Sequence, residues 1–159
     1  MTHTARATVV AQRIQTLLSE KVADVTFFDP PIRAVYYGDQ DKIPYSPTLC
    51  VEAGIKRRSW PPVPTLRTEN NLEVTVITYH ARIGDGQQTR LEADRLSEAV
   101  EEFLNIYHYR LLDASGSDLV IHGHVVENEP GYVRRGNTLF HAARLTWRGI
   151  TKTQITVAG

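Results

Sequence analysis

The chain has 159 residues, 42% of them hydrophobic, which suits one domain able to bury a core without metals or cross-links. Eighteen basic residues balance eighteen acidic ones, which argues against a general binder of nucleic acid or membrane surfaces, whose affinity rests on excess positive charge. Cys50 is the single cysteine, so neither an intramolecular disulfide nor a cysteine-based zinc site is available. The first residues, Met1-Thr2-His3-Thr4-Ala5-Arg6, lack the apolar centre of a secretory signal, and no run is long enough to span a bilayer. A soluble protein of the cytoplasm is expected.

Residues 4–23 read as a helix, with Val10, Ile14, Leu17 and Leu18 on one stripe and Gln12, Arg13, Gln15 and Ser19 on the other side. Thr2 or Thr4 is a candidate cap. Residues 25–28 and 33–37 suggest short strands, separated by Asp29-Pro30-Pro31, and residues 38–47 read as a turn-rich loop. Residues 48–56 alternate: Leu49, Val51, Ala53 and Ile55 on one face, Cys50, Glu52, Gly54 and Lys56 on the other. Residues 57–71 then read as a long extended arm, because Pro61, Pro62 and Pro64 stiffen it and donate no ladder bonds.

The next stretch, 72–109, is a strand, a polar break and a helix. In the strand 72–80, Leu72, Val74 and Val76 oppose Glu73, Thr75, Ile77 and Tyr79, whose partly apolar face predicts half coverage. The helix 89–109 carries Leu96, Val100, Phe103, Leu104, Tyr107 and Leu111 on its stripe, with Asp94, Glu98, Glu101, Glu102 and Asn105 opposite. Thr89 and Glu92 have capping-box spacing at its start. Residues 119–126 and 138–147 read as strands joined by a turn region 127–137, with a bend at Gly149 before a further run, 150–157. The expected fold is therefore α+β, a single domain over residues 1–159: a mostly antiparallel sheet, two amphipathic helices on one face, and a Pro-rich arm.

Constellations with chemical potential are few. His122 and His124, two apart on a strand, share a face, and His80 and His141 lie on strands that could bring them near; surface or interface histidines are the plainer reading. Glu98, Glu101 and Glu102 lie opposite the apolar stripe, where carboxylates stay solvated and ordinary. Cys50 has no local histidine or helix N-terminus to activate it. Ser115 and Ser117 sit in no nucleophile elbow, and Gly84-Asp85-Gly86 lacks the Lys-Ser/Thr sequel of a phosphate loop. No catalytic residue, cofactor or metal is expected.

Charge layout says more. Residues 90–118 hold three basic and seven acidic residues, a net of −4, whereas residues 130–159 hold five basic and none acidic, a net of +5. Two opposed patches either pair within one subunit or join copies head to tail, and a head-to-tail contact closes into a ring when its rotation permits. Asp94, Glu98, Glu101 and Glu102, with Trp60, Arg57, Arg58 and Arg67 of the arm, are the candidate interface residues. Arg134, Arg135, Arg144 and Arg148 are candidates for a channel wall that attracts phosphate without reading sequence.

This layout resembles the tail terminator, or tail-completion, proteins of tailed bacteriophages. The resemblance covers most of the chain: the N-terminal helix, the strand 49–55 with its arm 57–71, the unit 72–109, and the closing strands ending in Arg-Leu-Thr-Trp-Arg-Gly-Ile-Thr-Lys-Thr (144–153). It implies a homo-oligomeric ring, a hexamer in most of the family, at the head-proximal end of the tail. Such a ring stops tube polymerisation, meets a head-side connector, and lets double-stranded DNA pass. The implied partners are copies of the chain, tail tube protein and the connector; the implied location is the virion, after assembly in the host cytoplasm, with no membrane. Another neck component, such as a stopper or head–tail joining protein, would look alike. Two other classes stay open: an enzyme or ligand-binding domain using the sheet histidines, and a nucleic-acid-binding module.

Overall fold

The computed structural model describes residues 6–22, 28, 30–59, 67–81, 86–106 and 122–154. In chain order they form α1 (Arg6–Lys21), β1 (Ala34–Tyr37), β2 (Thr48–Ser59), β3 (Arg67–His80), α2 (Gly86–Ile106), β4 (His122–Arg135) and β5 (Thr138–Gln154). The strands make one sheet in the order β1-β2-β3-β5-β4. Only β1 and β2 run parallel; the other three pairings are antiparallel. The expected α+β architecture holds.

Alternation builds the two sides of this sheet. Leu49, Val51, Leu72, Val74, Val76, Ala143, Leu145 and Trp147 point to one face, where they pack with α1 and α2 in a single core. From α1 come Val10, Ile14, Leu17 and Leu18; from α2 come Leu96, Val100, Phe103 and Leu104, all buried at the predicted stripes. Phe28 packs into the same core with its ring 5.6 Å from that of Phe103. Each such side chain contributes roughly 1.5–3 kcal/mol by leaving water. The opposite face is half covered, as the mixed strand pattern predicted: Cys50, Tyr79, Phe140 and Ala142 are buried there, with Ile43 of the loop after β1 against them.

Several boundaries differ from the sequence expectations. Residues 127–137 are not a loop but the second half of β4, pairing with β5 from Glu127↔Thr146 to Arg135↔Thr138. Pro130-Gly131 signals a turn locally, yet β4 is an edge strand, where a proline's missing N–H need not break a ladder. The true turn is Gly136-Asn137. Gly136 has φ +62° and Asn137 does not share the positive sign, the pattern of a two-residue II′ hairpin. Nor does β5 bend at Gly149. That glycine and Gly123, its cross-strand partner, make room for the Trp147 indole: a Cβ would come within 2.1 Å of the ring at Gly149 and 2.0 Å at Gly123.

α2 begins at Gly86, so Thr89 lies inside the helix and the capping-box expectation fails. Around the arm, the ladder continues where a loop was expected: Arg57↔Asn71, Arg58↔Asn70 and Ser59↔Glu69 still pair, and β5 accompanies them to Arg67↔Gln154. Strand pairing needs no apolar side chains, so a pattern-based boundary at residue 56 stops short. The proline segment 60–66, the candidate strand 25–27, Ser115 and Ser117, the helix tail past Ile106, the caps Thr2 and Thr4, and 155–157 lie outside the described residues.

Two β-bulges fall at one row of the sheet. Ala53, Val74, Trp147 and Val125 stand in register across β2, β3, β5 and β4, and the shifts follow at Ala53/Lys56 and Val125/Glu127. Bulges increase local twist. The row also marks the end of α2, whose Asn105 Oδ1 accepts the Val125 N–H at 2.8 Å.

Candidate functional site

Three places hold the polar groups the fold brings together. The first is at the start of α2. His80 is the last core-facing residue of β3, and Glu92 sits one turn before Leu96 on the apolar stripe of α2. Both are buried, and His80 Nε2 meets Glu92 Oε2 at 2.6 Å. Gln88 Nε2 donates to the other Glu92 oxygen at 3.2 Å. Ser46, from the loop before β2, completes the group: its Oγ is 3.0 Å from His80 Nδ1, accepts the Ala81 N–H at 2.9 Å and donates to the Ala81 carbonyl at 3.0 Å. With that hydroxyl proton given to the Ala81 carbonyl, the Ser46 oxygen is left to accept from its other neighbours, so the two imidazole nitrogens sit between Ser46 and Glu92. A serine so engaged by backbone on both sides is a clasp between loop, strand and helix, not a poised nucleophile.

His141, the register partner of His80, lies beside this clasp with its ring 4.8 Å from Tyr132, and Arg90 stands over that tyrosine at 5.4 Å. Burial pushes the His141 pKa below its ordinary value, and the charges of Arg90 and His80 push it the same way.

The second place is the opposite sheet face. Tyr79 O–H donates to Asp39, and Arg135 Nη2 donates to Asp39 Oδ2 at 2.6 Å and to the Tyr79 oxygen at 3.2 Å. Burial first, and the Asp39 carboxylate second, hold the Tyr79 phenol protonated well above its usual range. Burial also pushes the Cys50 thiol up to about 11, so it is a packed apolar group rather than a nucleophile. An open depression of ≈ 390 Å³ borders these residues, with Ile77, Ala142 and Arg144 among its lining and Glu52 and Glu129 at its sides.

The third place is the charged exterior. On α2, Asp94, Glu98 and Glu102 are exposed, as read from the stripe, while Glu101 is half-buried and accepts from Asn128 at 3.4 Å. Asp94 bonds Arg90 one turn back at 3.2 Å. On the helix-free face, Arg144 and Arg148 are exposed, but this surface is mixed rather than basic. Arg148 pairs with Glu73 at 2.8 Å, Arg135 with Asp39, and Arg144 stands in register with Glu129. Arg134, by strand alternation, belongs to the other face from Arg135. The four proposed channel arginines therefore do not form one wall. Arg57, Arg58 and Arg67 hold ladder positions in β2 and β3, and Trp60 lies outside the described residues.

The four strand histidines do not converge. His122 and His124 share the helix-free face with rings 5.3 Å apart, whereas His80 and His141 belong to the helix-covered face. Among the described residues no group of three or more His, Cys, Asp or Glu could hold a metal ion. No described helix is long and apolar enough to cross a membrane.

The clasp was legible, had the stripe been read for exceptions. A carboxylate at the helical spacing of Leu96 and Val100, and a histidine at the core-facing parity of Val74 and Val76, each demand a buried partner. Asp39–Arg135 was not legible: its partners are 96 residues apart and only the closed sheet joins them.

No family model matches the chain, and no curated protein matches it in sequence.

Proposed function

We propose that this chain is a structural assembly protein that joins copies of itself head to tail into a ring, in the manner of a phage tail terminator. Such a ring would cap the tail tube at its head-proximal end, meet the connector, and leave a hole for double-stranded DNA. One observation carries the reading. Asp94, Glu98 and Glu102 leave the layer on the helix side, while Arg144 leaves it on the other, beside Arg148, which Glu73 already holds. Groups separated by the thickness of a helix and a sheet cannot pair within a subunit, but they can pair between neighbours.

Exposed ion pairs contribute only about 0–1 kcal/mol each, so apolar contact has to supply most of the association. The fourteen-residue strand β4 supports this: it exposes Val126 and Tyr132, the latter at 60%, beside a backbone edge that no described strand pairs. Heterologous contacts of this kind close when the rotation per copy divides the circle.

The test is genetic and visual. Negative-stain images of tails assembled without the protein should show tubes of unregulated, excess length. Tubes of normal length in its absence remove the capping role.

A further inference from the structure

The helix-free face of the sheet dips at one place. Gly131 of β4 and Ala142 of β5 stand opposite each other, so two neighbouring strands carry there no side chain longer than a methyl. A Cβ at Gly131 would meet nothing within 4 Å. Ile77 and Val133 add apolar lining to this depression of ≈ 390 Å³, and Glu129 and Arg144 border it, in register with each other. Asp39 and Arg135, also at its border, already hold one another. Glu129 and Arg144 make no ion pair among the described residues.

The solvent side of α2 carries the counterpart. Leu91 is 57% exposed, and the exposed Arg95 and Glu98 follow it four and seven residues on, so all three share one face. At the helical rise, Arg95 lies about 6 Å and Glu98 about 10.5 Å beyond Leu91. Along β5, Arg144 lies about 7 Å beyond Ala142. With a leucine over Gly131 and Ala142, the arginine one turn on therefore comes level with Glu129 and Arg144. The glutamate stands about 4 Å past that row, and helical side chains lean toward the N-terminus, so it reaches back to Arg144.

We infer that this depression receives Leu91 of a neighbouring copy, whose α2 lies along β5 with its Arg95 on Glu129 and its Glu98 on Arg144. The inference rests on the head-to-tail reading and says where copies meet. Leu91 cannot reach the depression within its own subunit, because α2 covers the opposite face of the sheet. Charge complementarity favours a second copy as the occupant. One leucine, one cation and one anion on the helix match one apolar dent, one anion and one cation on the sheet, at the same spacing. The leucine supplies the apolar centre that a stable contact needs, and the paired charges fix its register.

The experiment is oxidative cross-linking of the intact chain carrying Leu91→Cys and Gly131→Cys, read on a non-reducing gel. Cys50 is 1% exposed and stays out of the reaction. The double variant should give a ladder of covalent multimers that ends at the copy number of the ring, and each single variant should remain monomeric. Light scattering adds a second readout. Gly131→Leu fills the depression and should weaken association at least tenfold while leaving the urea midpoint unchanged; Leu91→Asp should weaken it by a similar factor. Three results overturn the seating: no multimers from the double variant, a strong dimer from Leu91→Cys alone, which would mean that like faces meet, or an oligomer untouched by Gly131→Leu. If light scattering still finds a closed oligomer in those cases, the ring reading stands and only the seating is lost. A chain that is monomeric at every concentration overturns both.

Discussion

The two ends of one sheet follow different rules. At the end holding His80 and His141, both faces are packed: helices cover one, and the loop carrying Asp39 and Ile43 lies over the other. From Lys56, Asn71 and Thr151 outward, the same strands continue with polar residues alone. Hydrogen-bonded ladders therefore extend past the hydrophobic core that anchors them. The covered end supplies stability, and the polar end is free to vary in charge. Substitutions should separate the two.

The largest effect should come from Trp147→Ala. The indole is fully buried and fills the space over Gly123 and Gly149, so its loss should cost about 3–5 kcal/mol, read as a shift of the urea midpoint. A loss under 1 kcal/mol would mean that the boundary row is loosely packed. Glu92→Ala should follow, at about 2–4 kcal/mol, because it removes the buried carboxylate that His80 meets. Gly123→Ala drives a methyl into the indole and should cost about 1–3 kcal/mol; Gly131→Ala, which meets open space, is its control.

A smaller effect concerns pH. The folded protein holds His141 below its unfolded pKa of 6.5, so the unfolded chain binds the extra proton first. Stability should therefore fall as pH drops below about 6.5 and level off below the folded pKa. His141→Gln should remove that part of the dependence in urea titrations across this window; an unchanged profile assigns it elsewhere. The smallest effect is at the polar end, where Arg58→Gln should change stability by no more than about 0.5 kcal/mol. A large loss there would show that the extension is part of the core after all.

Sequence legibility divides along the same line. Where apolar residues alternate or recur at helical spacing, as in Leu72-Val74-Val76 and Leu96-Val100-Phe103, the elements and their buried faces were readable. Where pairing runs with few or no apolar residues, boundaries were lost: residues 57–59, 67–71 and 127–135 read as loops because Arg, Asn, Glu, Pro and Gly carry no alternation. Glycine and proline misled for a related reason. Gly149 serves a neighbouring indole and Pro130 sits on an edge, and both facts depend on the partner strand rather than on local sequence. Periodicity placed Asp94, Glu98 and Glu102 correctly in solvent, but not Glu101, which is half-buried against Asn128. That the facing arginines are interleaved with Glu73, Asp39 and Glu129 emerged only from the register of β3, β4 and β5.

Self-association is the central claim, and mass in solution tests it most directly. Light scattering on the purified chain, alone and mixed with tail tube protein, should find a closed oligomer of defined copy number in at least one of the two samples. Glu98→Lys with Glu102→Lys should abolish that oligomer, and Arg144→Glu with Arg148→Glu added to the same chain should restore it. A monomer in both samples, at concentrations well above those of assembly, would contradict the account.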